Sequence, residues 1–338
     1  MGVNMPPLRF SIVLPCLTDA STLRRCLESL TQQTLPESSL EIVVVDDFSQ
    51  PELKGVLLPY EAGGDAGTPR VKYVRNSENL GRAKTRNRGI AASEGEIVLF
   101  MDVDQIVDAG LLTALHEAFG NAGLKSVRAN SSVWPPLLEG SAYLRYYDSR
   151  FLGKRTREEL AAMDLEHLPA KYFASGCIAV TRAALELVGG FDEEFRFYGC
   201  EDEELGARLE EAGVPLTLCL GAKAYNIADD LNIRRVCNRF VEYAEHSVPI
   251  LLKKHPAYAR KSLLWFLELP KSQLSAKYRM LRAGLVTGFR PACARLLVRY
   301  LEVRDGKPNF NPPRSLYVLA ITGFYLQGYR RRQREVMA

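Results

Sequence analysis

Residues 97–104 read Ile-Val-Leu-Phe-Met-Asp-Val-Asp, and this stretch decides the fold class. Its first five residues form an apolar run with the length and composition of a buried β-strand. Asp102 and Asp104 follow at the strand end, and side chains two residues apart in an extended segment lie on the same side. Paired carboxylates in such a place can hold a divalent cation that bridges phosphate oxygens. We therefore predict a phosphate-handling site at the end of a buried strand.

The rest of the first hundred residues alternates strand and helix patterns, which predicts an α/β fold. Strands separated by helix-length segments imply a mostly parallel sheet with helices on both faces. Ligands of such sheets bind outside the carboxyl ends of the strands, where residues 15–18, Asp46, Asp47 and residues 102–104 fall. The predicted elements are strands at 9–15, 40–45, 71–74 and 96–101, helices at 22–34 and 81–93, and a surface loop at 61–69.

A basic segment, NLGRAKTRNRG at residues 79–89, lies at the start of the second predicted helix. Gly81 permits a tight turn there, and a helix N-terminus together with basic side chains favours a diphosphate. The alternative is a solvent-exposed basic helix face, which the asparagines and glycines of the segment disfavour. The basic side chains are Arg82, Lys84, Arg86 and Arg88.

A second acidic cluster, Glu-Asp-Glu-Glu at residues 201–204, follows a Tyr-Gly-Cys turn at the head of a helix predicted at 201–212. A carboxylate in this position could take a proton from an acceptor hydroxyl. The alternative is that the cluster only provides negative charge at a helix N-terminus, where it interacts favourably with the helix dipole. That alternative suits Glu203 and Glu204 better than Glu201 and Asp202, which directly follow the turn.

Composition narrows the class of protein. Of the 338 residues, 47% are hydrophobic, which is enough for one large core or two smaller ones. The seven cysteines form no Cys-x-x-Cys pair and there are four histidines, so we expect neither a disulfide framework nor a structural zinc site. The N-terminal residues lack the apolar core of a signal peptide. We therefore expect a cytoplasmic protein with reduced thiols.

Charge divides the chain into two predicted domains, 1–230 and 231–338. The second contains 21 Lys and Arg against 6 Asp and Glu, a net +15, whereas the first contains 23 against 34, a net −11. Such asymmetry suggests modules with different partners. The basic module could bind anionic lipid or a polyanionic acceptor, or its basic face could pack on the acidic module.

The segment 315–329 contains no charged residue over 15 positions, which is shorter than the roughly 20 residues that a transmembrane helix needs. Two alternatives stay open. It could form an interfacial helix whose tyrosines and flanking arginines lie at a membrane surface, or a core helix of the C-terminal module. The first alternative would place the protein at the inner face of the cell membrane.

These motifs together resemble the family 2 glycosyltransferases of GT-A fold, over roughly residues 8–228. The block that contains the second acidic cluster also looks like the acceptor-side block of galactosyl- and N-acetylgalactosaminyltransferases, including bacterial chondroitin-type polymerases. The residues that carry the resemblance are Ser11-Ile12-Val13-Leu14-Pro15, Val44-Val45-Asp46-Asp47-Phe48-Ser49, the segment 79–89, Asp102-Val103-Asp104, and Gly189-Gly190-Phe191-Asp192 followed by residues 199–204.

The resemblance implies a nucleotide-sugar half at about 8–105 and an acceptor half at about 106–230. Asp202 would act as the catalytic base and Glu201 would hold the acceptor. Asp104 would coordinate Mg²⁺ or Mn²⁺, with Asp102 nearer the ribose or the water shell of the metal. Asp47 and Asp46 would contact the base, usually uracil. The implied nucleotide-sugar-binding residues are Pro15, Thr18, Asp46, Asp47, Asn79, Gly81, Arg82, Lys84, Asn87, Asp102 and Val103.

Two positions depart from the family pattern. Many relatives have a metal-binding histidine where this chain has Asn226, so Asn226 is a weaker candidate metal ligand, with Asp229 or Asp230 as alternatives. Relatives often have an aromatic residue at the position of Cys200, facing the acceptor sugar. A thiol there would change how an acceptor sugar stacks.

The predicted function is an inverting, metal-dependent transfer of a sugar from a UDP-sugar to a hydroxyl of a lipid-linked, saccharide or other polymeric acceptor. One alternative is a nucleotidyltransferase, although the chain lacks an early glycine-rich loop for a triphosphate. Another is a catalytically inactive, glycosyltransferase-like membrane scaffold. No nucleic-acid partner is expected, because no aromatic and basic RNA-recognition block is present. Peripheral membrane contact and homo-oligomerisation through the C-terminal module are left open.

Overall fold

The computed structural model describes residues 9–34, 40–60, 69–120, 123–155, 157–228, 230–261 and 264–337. Most of the predicted surface loop (residues 61–68) and Asp229 lie outside these ranges. The chain divides into two compact units. The first comprises the residues up to 134, 150–193 and 202–228, and the second comprises 135–149, 194–201 and the residues from 229 onward.

The first unit is built on an eight-stranded sheet. Numbered in chain order, the strands are arranged 3-2-1-4-7-6-8-5, with four parallel and three antiparallel pairs of neighbours. The strands are β1 (Phe10–Cys16), β2 (Leu40–Asp46), β3 (Arg70–Arg75), β4 (Ile97–Met101), β5 (Gln105–Val107), β6 (Ser126–Val133), β7 (Cys177–Thr181) and β8 (Leu216–Asn226).

Helices are numbered in the same way. The first unit contains α1 (Ala20–Leu30), α2 (Arg82–Ala92), α3 (Leu111–Phe119), α6 (Arg157–Ala161), α7 (Arg182–Val188) and nearly all of α8 (Glu201–Glu211). The second contains α4 (Pro135–Glu139), α5 (Ala142–Asp148), α9 (Ile233–Glu242), a π-helical turn (Tyr243–Ser247), α10 (Val248–Lys254), α11 (Trp265–Glu268), α12 (Ala276–Gly288), α13 (Pro291–Arg304) and α14 (Arg314–Met337).

Alternating side chains of the central strands pack into two hydrophobic layers. On β1, Ile12 and Leu14 enter one layer with residues of α1, while Val13 enters the other with residues of α2 and β4. All three side chains are fully buried. The alternation follows from the two-residue period of a strand, whose neighbouring side chains point to opposite faces. The polar residues that follow the strands are therefore anchored to a sheet that is buried on both faces.

The predicted α/β fold with a mostly parallel sheet is confirmed. Each of the four predicted strands lies within one residue of its observed bounds. β6 and β8 were not predicted, because serine and asparagine interrupt the apolar pattern of the first, and glycine and lysine that of the second. Their pairing also shifts register between Ala129 and Asn130, which removes the strict period of two that a sequence pattern would show.

The second unit differs from the predicted C-terminal module, because it includes two earlier segments of the chain. Its last segment begins at residue 229, next to the predicted boundary, but residues 135–149 and 194–201 belong to it as well. Asp305 accepts a hydrogen bond from Ser141 Oγ (2.6 Å). Tyr317 stacks on Tyr146, with ring centroids 4.5 Å apart. These contacts join the segment before residue 150 to the C-terminal helices within this unit.

The uncharged segment 315–329 forms most of α14, which is a core helix of the second unit. Tyr317, Ile321 and Leu326 are buried, and a Cβ atom on Gly328 would overlap the carbonyl oxygen of Val241 in α9. This packing favours the core alternative over the interfacial one for these residues. Among the described residues, no helix combines the length and apolar character that crossing a membrane requires.

Close packing of α2 on the sheet gives a first prediction, on stability. A Cβ atom on Gly89 would overlap the side chain of Val13, which is fully buried. We expect Gly89→Ala to lower the free energy of unfolding by about 1–3 kcal/mol, because the core must shift to admit a methyl group. Gly284→Ala in α12 is the matched control, since no atom lies within 4 Å of its added Cβ, and it should stabilise by about 0.5–1 kcal/mol. Denaturant unfolding measures both, and an unchanged stability for Gly89→Ala would contradict the close approach.

Candidate active site

The carboxyl end of β4 is tied to the amino end of its antiparallel neighbour β7. The backbone N–H of Asp102 donates to the carbonyl of Gly176 (2.8 Å). Asp102 Oδ1 accepts a hydrogen bond from the guanidinium of Arg86 (3.1 Å), and the Asp102 side chain stays 44% exposed. The carboxylate is therefore fixed at one oxygen while its side chain still reaches solvent.

Arg86 was named in the basic segment, but its role was not predicted. It is 2% exposed and lies over the ring of Phe191, with its guanidinium carbon 5.4 Å from the ring centre. The contact between a buried arginine and Asp102 fixes both side chains. The signal in the sequence was the position of Arg86 three residues after Ala83 and three before Gly89, which places it on the buried face of α2.

Asp104 lies where β5 and β8 begin to pair. Its carbonyl accepts the N–H of Ile227 (2.8 Å), and the next residue, Gln105, pairs with Asn226. Asp104 Oδ1 and Gln105 Oε1 are both enclosed from solvent, and Gln105 Oε1 has no hydrogen-bond partner within the described part of the chain. The side chain of Asn226 accepts the N–H of Ala228 (3.1 Å), so its role as a metal ligand stays a prediction.

The oxygen donors at these strand ends fit a hard divalent cation such as Mg²⁺ or Mn²⁺. Asp102 and Asp104 offer carboxylate oxygens in this segment, and Gln105, the residue after Asp104, offers an enclosed amide oxygen. Within the described ranges, no three His, Cys, Asp or Glu side chains are grouped closely enough to hold a metal ion. Of the two alternative ligands, Asp229 lies outside the described residues and Asp230 forms an ion pair with Arg235 in the second unit.

Asp202 is held at the start of α8 by the residue that precedes Gly176. Its Oδ2 accepts the N–H of Ser175 (3.1 Å). Its Oδ1 is enclosed and has no hydrogen-bond partner among the described residues. Buried carboxylate oxygens are normally hydrogen-bonded, so this atom is available to a hydroxyl group that enters the site.

Two consecutive residues thus connect the two acidic clusters. Ser175 binds Asp202 through its N–H, and Gly176 binds the backbone of Asp102 through its carbonyl. A Cβ atom on Gly176 would lie 3.4 Å from Asp102 Oδ2 and 3.0 Å from Gln105 Nε2, so only glycine leaves these groups undisturbed. The sequence separates the acidic clusters by about a hundred residues, and the antiparallel strand β7 brings them to one edge of the sheet.

Arg128 of β6 is a further charged group that the sequence did not single out. Burial lowers the pKa of its guanidinium, and the negative charge of Asp202 opposes that shift. Its guanidinium also donates to the carbonyl of Tyr172 (2.5 Å). An arginine in a strand whose other residues are uncharged was the available signal. Nearby, burial and the charge of Asp102 raise the pKa of Cys177 to about 12, so this thiol stays protonated at neutral pH.

Asp46 and Asp47 are buried and bind protein groups. Asp46 Oδ2 accepts the hydroxyl of Tyr73 (2.6 Å) and the guanidinium of Arg75 (2.7 Å). Burial alone would raise the pKa of Asp46, but these bonds and one from the Ser49 N–H outweigh it and lower the pKa. Asp47 accepts the amide of Asn76 and the N–H groups of Leu80 and Gly81 at 2.7–3.1 Å. Contact with a nucleotide base stays a prediction for both residues, and their observed contacts position β3 and the turn before α2.

The other predicted nucleotide residues of β1 and β2 lie near the same strand ends. Pro15 pairs with Val45 in the sheet, and the N–H of Thr18 donates to Ser49 Oγ (3.3 Å). Both Pro15 and Thr18 are half-buried. Phe48 is 41% exposed with a φ of 72°, and the guanidinium of Arg75 lies 5.3 Å from its ring centre. A bulky residue in the left-handed region is uncommon, so this loop is held in a specific shape by its contacts.

The turn before α2 has the geometry that the sequence predicted. Gly81 has a φ of 81° and precedes the first helical residue, Arg82. The exposed Asn79 accepts the Gly81 N–H (3.0 Å). Lys84 Nζ lies 4.0 Å from Glu193 Oε2, with its side chain 46% exposed. Contact of these residues with a diphosphate stays a prediction.

Two predicted donor-binding side chains are engaged elsewhere. The amide of Asn87 donates to the carbonyl of Phe191 and accepts the N–H of the same residue, both at 2.8 Å, so it clamps the Gly189-Gly190 turn onto α2. Val103 is 8% exposed and packs in the hydrophobic core. The Val103 side chain therefore cannot line an open donor site, and only its backbone is left for such a contact.

Glu201 and Cys200 belong to the second unit and are both buried. Cys200 is 2% exposed with a φ of 70°, and a Cβ atom on the preceding Gly199 would lie 2.6 Å from the ring of Tyr243. The Cys200 side chain is therefore enclosed in this structure, and its effect on the stacking of an acceptor sugar stays a prediction. Glu201 is 3% exposed, and its contact with an acceptor stays a prediction.

Comparison with known proteins agrees with this geometry. Residues 11–163 match the family described as Glycosyl transferase family 2, and residues 159–239 match the N-terminal domain of galactosyltransferase. Residues 11–163 therefore resemble the family 2 glycosyltransferases. The resemblance drawn from the sequence motifs is thereby confirmed.

Proteins similar to this chain include validoxylamine A glucosyltransferase of Streptomyces hygroscopicus subsp. jinggangensis. The two sequences are 30% identical over 228 residues, and the match covers 62% of this chain and 53% of the relative. Among solved structures, the mannosyltransferase PcManGT from Pyrobaculum calidifontis has a TM-score of 0.60 at 18% identity, over 98% of this chain and 88% of that one. S. aureus TarS 1-349, in its complex with UDP-GlcNAc, has a TM-score of 0.52 at 15% identity, over 97% of this chain and 92% of that one. The chain spans about half the length of the curated relatives it matches.

Proposed function

We propose that the protein is an inverting, metal-dependent glycosyltransferase that moves a sugar from a UDP-sugar to a hydroxyl of its acceptor. The observation that carries the proposal is the link between Asp102 and Asp202 through Gly176 and Ser175. It sets a carboxylate suited to a metal-bound diphosphate close to a second carboxylate that has an unused, enclosed oxygen. Those are the two groups that a single displacement at a sugar carbon requires.

The donor is proposed from the family and from what its members bind. The PcManGT structure is a complex with GDP-Man and Mn²⁺, and TarS 1-349 has been solved with UDP-GlcNAc. A nucleotide sugar suits the strand ends of β1, β2 and β4, with the basic start of α2 beside them. Among nucleotides we favour uridine. The test below would overturn this choice if it showed binding of a GDP-sugar instead.

The divalent cation would be held by Asp104, with Asp102 and Gln105 beside it, and Asn226 is a further candidate. When bound, such a cation neutralises charge on the diphosphate as that group leaves. Because the described protein ligands are few, the remaining positions would be filled by oxygens of the diphosphate and by water. Arg86 keeps Asp102 in place through its 3.1 Å contact.

Asp202 is proposed as the general base. Its Oδ2 is fixed by Ser175, so Oδ1 can accept the proton of an acceptor hydroxyl while the hydroxyl oxygen attacks the anomeric carbon. Arg128 supplies positive charge nearby and is proposed to position this carboxylate. Glu201 is proposed to hold the acceptor, which we expect to be a lipid-linked, saccharide or other polymeric molecule at the cytoplasmic side of the cell membrane.

A thermal-shift panel tests the donor and the cation together. UDP-, GDP- and dTDP-sugars are each added with Mn²⁺, with Mg²⁺ or with EDTA, because a ligand that binds the native state raises its melting temperature. We expect a UDP-sugar to raise the melting temperature with a divalent cation and to lose most of that effect with EDTA. If only GDP-sugars raise the melting temperature, the donor is a GDP-sugar and not a UDP-sugar. If the rise is equal with EDTA, donor binding does not need a divalent cation.

Product analysis then separates transfer from the alternatives. A glycosyltransferase releases UDP, whereas a nucleotidyltransferase releases pyrophosphate. Binding of a nucleotide sugar without release of either, in the presence of hydroxyl acceptors and water, would support the inactive scaffold. The anomeric configuration of the product, read by NMR, decides whether the transfer inverts.

A further inference from the structure

The most exposed large apolar side chains of the described residues lie on two consecutive helices of the second unit. Met280 of α12 is 76% exposed, and Leu296 and Val303 of α13 are 67% and 63% exposed. Leu281 of α12 and Tyr300 of α13 are 43% and 51% exposed. Scattered exposed leucines are ordinary, but three such side chains on one side of a single helix, as in α13, indicate an interaction site.

Both helices rest on α14 and expose their far sides. A Cβ atom on Gly323 of α14 would overlap Ala294 at the start of α13 and Phe289 just after α12. Arg330 of α14 donates to the carbonyls of Val286 (2.8 Å) and Phe289 (2.6 Å) at the end of α12. α12 has no fully buried residue, so it lies at the surface of this unit along its whole length.

The exposed face of α13 is apolar in its centre and basic at its border. Leu296, Tyr300 and Val303 are spaced by four and three residues, which places them on one side of the helix. Ala294, Val298 and Leu301 are buried on the opposite side. Arg295 and Arg299 are exposed and flank the apolar side chains. This is the arrangement of a helix that lies in a membrane interface.

The charge of the two helices is strongly one-sided. Residues 271–304 contain eight Lys and Arg and a single acidic residue, Glu302, and Glu302 is paired with Arg234. In the described part of the chain, no acidic side chain pairs with Arg290, Arg295 or Arg299. These guanidinium groups are therefore available to phosphate groups from outside the protein.

We propose that the exposed side of α13, formed by Leu296, Tyr300 and Val303 with Arg295 and Arg299, binds a bilayer that contains anionic phospholipids. The apolar side chains enter the boundary between head groups and acyl chains, and the arginines contact lipid phosphates. A second copy of the chain is a poorer occupant, because a two-fold contact would bring the unpaired arginines of both copies together. The proposal does not depend on the proposed transferase activity.

Co-sedimentation of the full chain with vesicles tests the proposal. We expect binding to phosphatidylcholine mixed with phosphatidylglycerol, and much weaker binding to phosphatidylcholine alone. The double variant Leu296→Ser, Val303→Ser and the double variant Arg295→Gln, Arg299→Gln should each lower the partition coefficient by at least about tenfold. Leu58→Ser and Arg24→Gln are matched controls, since both residues are exposed in the first unit, and neither should change binding.

A fluorescence measurement covers the case in which a double variant folds poorly. In Leu296→Trp, we expect the emission of the new tryptophan to shift to shorter wavelength on addition of the anionic vesicles, because the ring leaves water. No shift, or equal binding to both vesicle types, would overturn the proposal. So would binding to soluble polyphosphate without binding to vesicles, or a dimer in solution that Leu296→Ser dissociates while vesicles are not bound.

Discussion

Replacing Asp202 with asparagine is expected to lower the turnover number by about 10²- to 10⁴-fold, the usual contribution of a general base. The amide oxygen of asparagine can still accept the Ser175 N–H, which now holds Oδ2 at 3.1 Å, so the fold of the turn should survive. An amide cannot take the proton of the acceptor hydroxyl. Donor affinity should stay within about twofold, because the change removes a group that acts only in the transition state.

Initial rates of UDP release at saturating donor, together with donor binding by calorimetry, measure this prediction. Glu203→Gln is the matched control, because it removes one negative charge from the same first turn of α8 and is expected to leave turnover nearly unchanged. Equal turnover for Asp202→Asn and the natural protein would show that Asp202 is not the base.

Replacing Asp104 with asparagine should lower kcat/KM by at least about 100-fold, since a metal ion on a leaving phosphate supplies several kcal/mol of charge stabilisation. Asp104 Oδ1 is enclosed just before β5, and the amide oxygen of the next residue, Gln105, has no hydrogen-bond partner among the residues that the structure describes. A neutral amide at residue 104 binds a hard cation less well than a carboxylate. The cation-dependent part of the donor-induced rise in melting temperature should therefore disappear.

Asp108→Asn serves as the control for that variant. Asp108 follows the same short strand, and its side chain is 45% exposed. Its Oδ2 accepts the hydroxyl of Tyr225 (3.4 Å) and lies 3.9 Å from Lys223 Nζ. We expect this control to keep the full response to Mn²⁺. If Mn²⁺ raises the melting temperature of Asp104→Asn as much as that of the control at every concentration, Asp104 is not a metal ligand.

The first hundred residues could be predicted well because β1, β2 and β4 are largely buried on both faces and therefore appear as apolar runs. The position of Asp102 and Asp104 at a strand end follows from such a run directly. The contact that brings Asp202 to the same edge could not be predicted, because it depends on the antiparallel placement of β7 against β4. No local pattern in residues 172–181 distinguishes an antiparallel strand from a parallel one.

The resemblance implied donor contacts for Asp46, Asp47 and Asn87, and those contacts stay predictions. The sequence did not reveal that other groups of the protein already bind these side chains. Their hydrogen bonds to Tyr73, Asn76 and Phe191 satisfy them internally, as buried polar groups require. Conversely, Arg86 and Arg128 have their roles because each is buried near a carboxylate. The positions of basic residues in the sequence do not reveal such a contact.

The interleaving of the two units limits how this protein can be cut or recombined. The chain passes from one unit to the other five times, after residues 134, 149, 193, 201 and 228. A truncation at 228 would leave Ser141 without Asp305 and Tyr146 without Tyr317, and would expose the surfaces that those contacts cover. The basic C-terminal helices are therefore not an independent domain that could be exchanged between relatives by itself. A hybrid enzyme with a new C-terminal region must import residues 135–149 and 194–201 from the same parent.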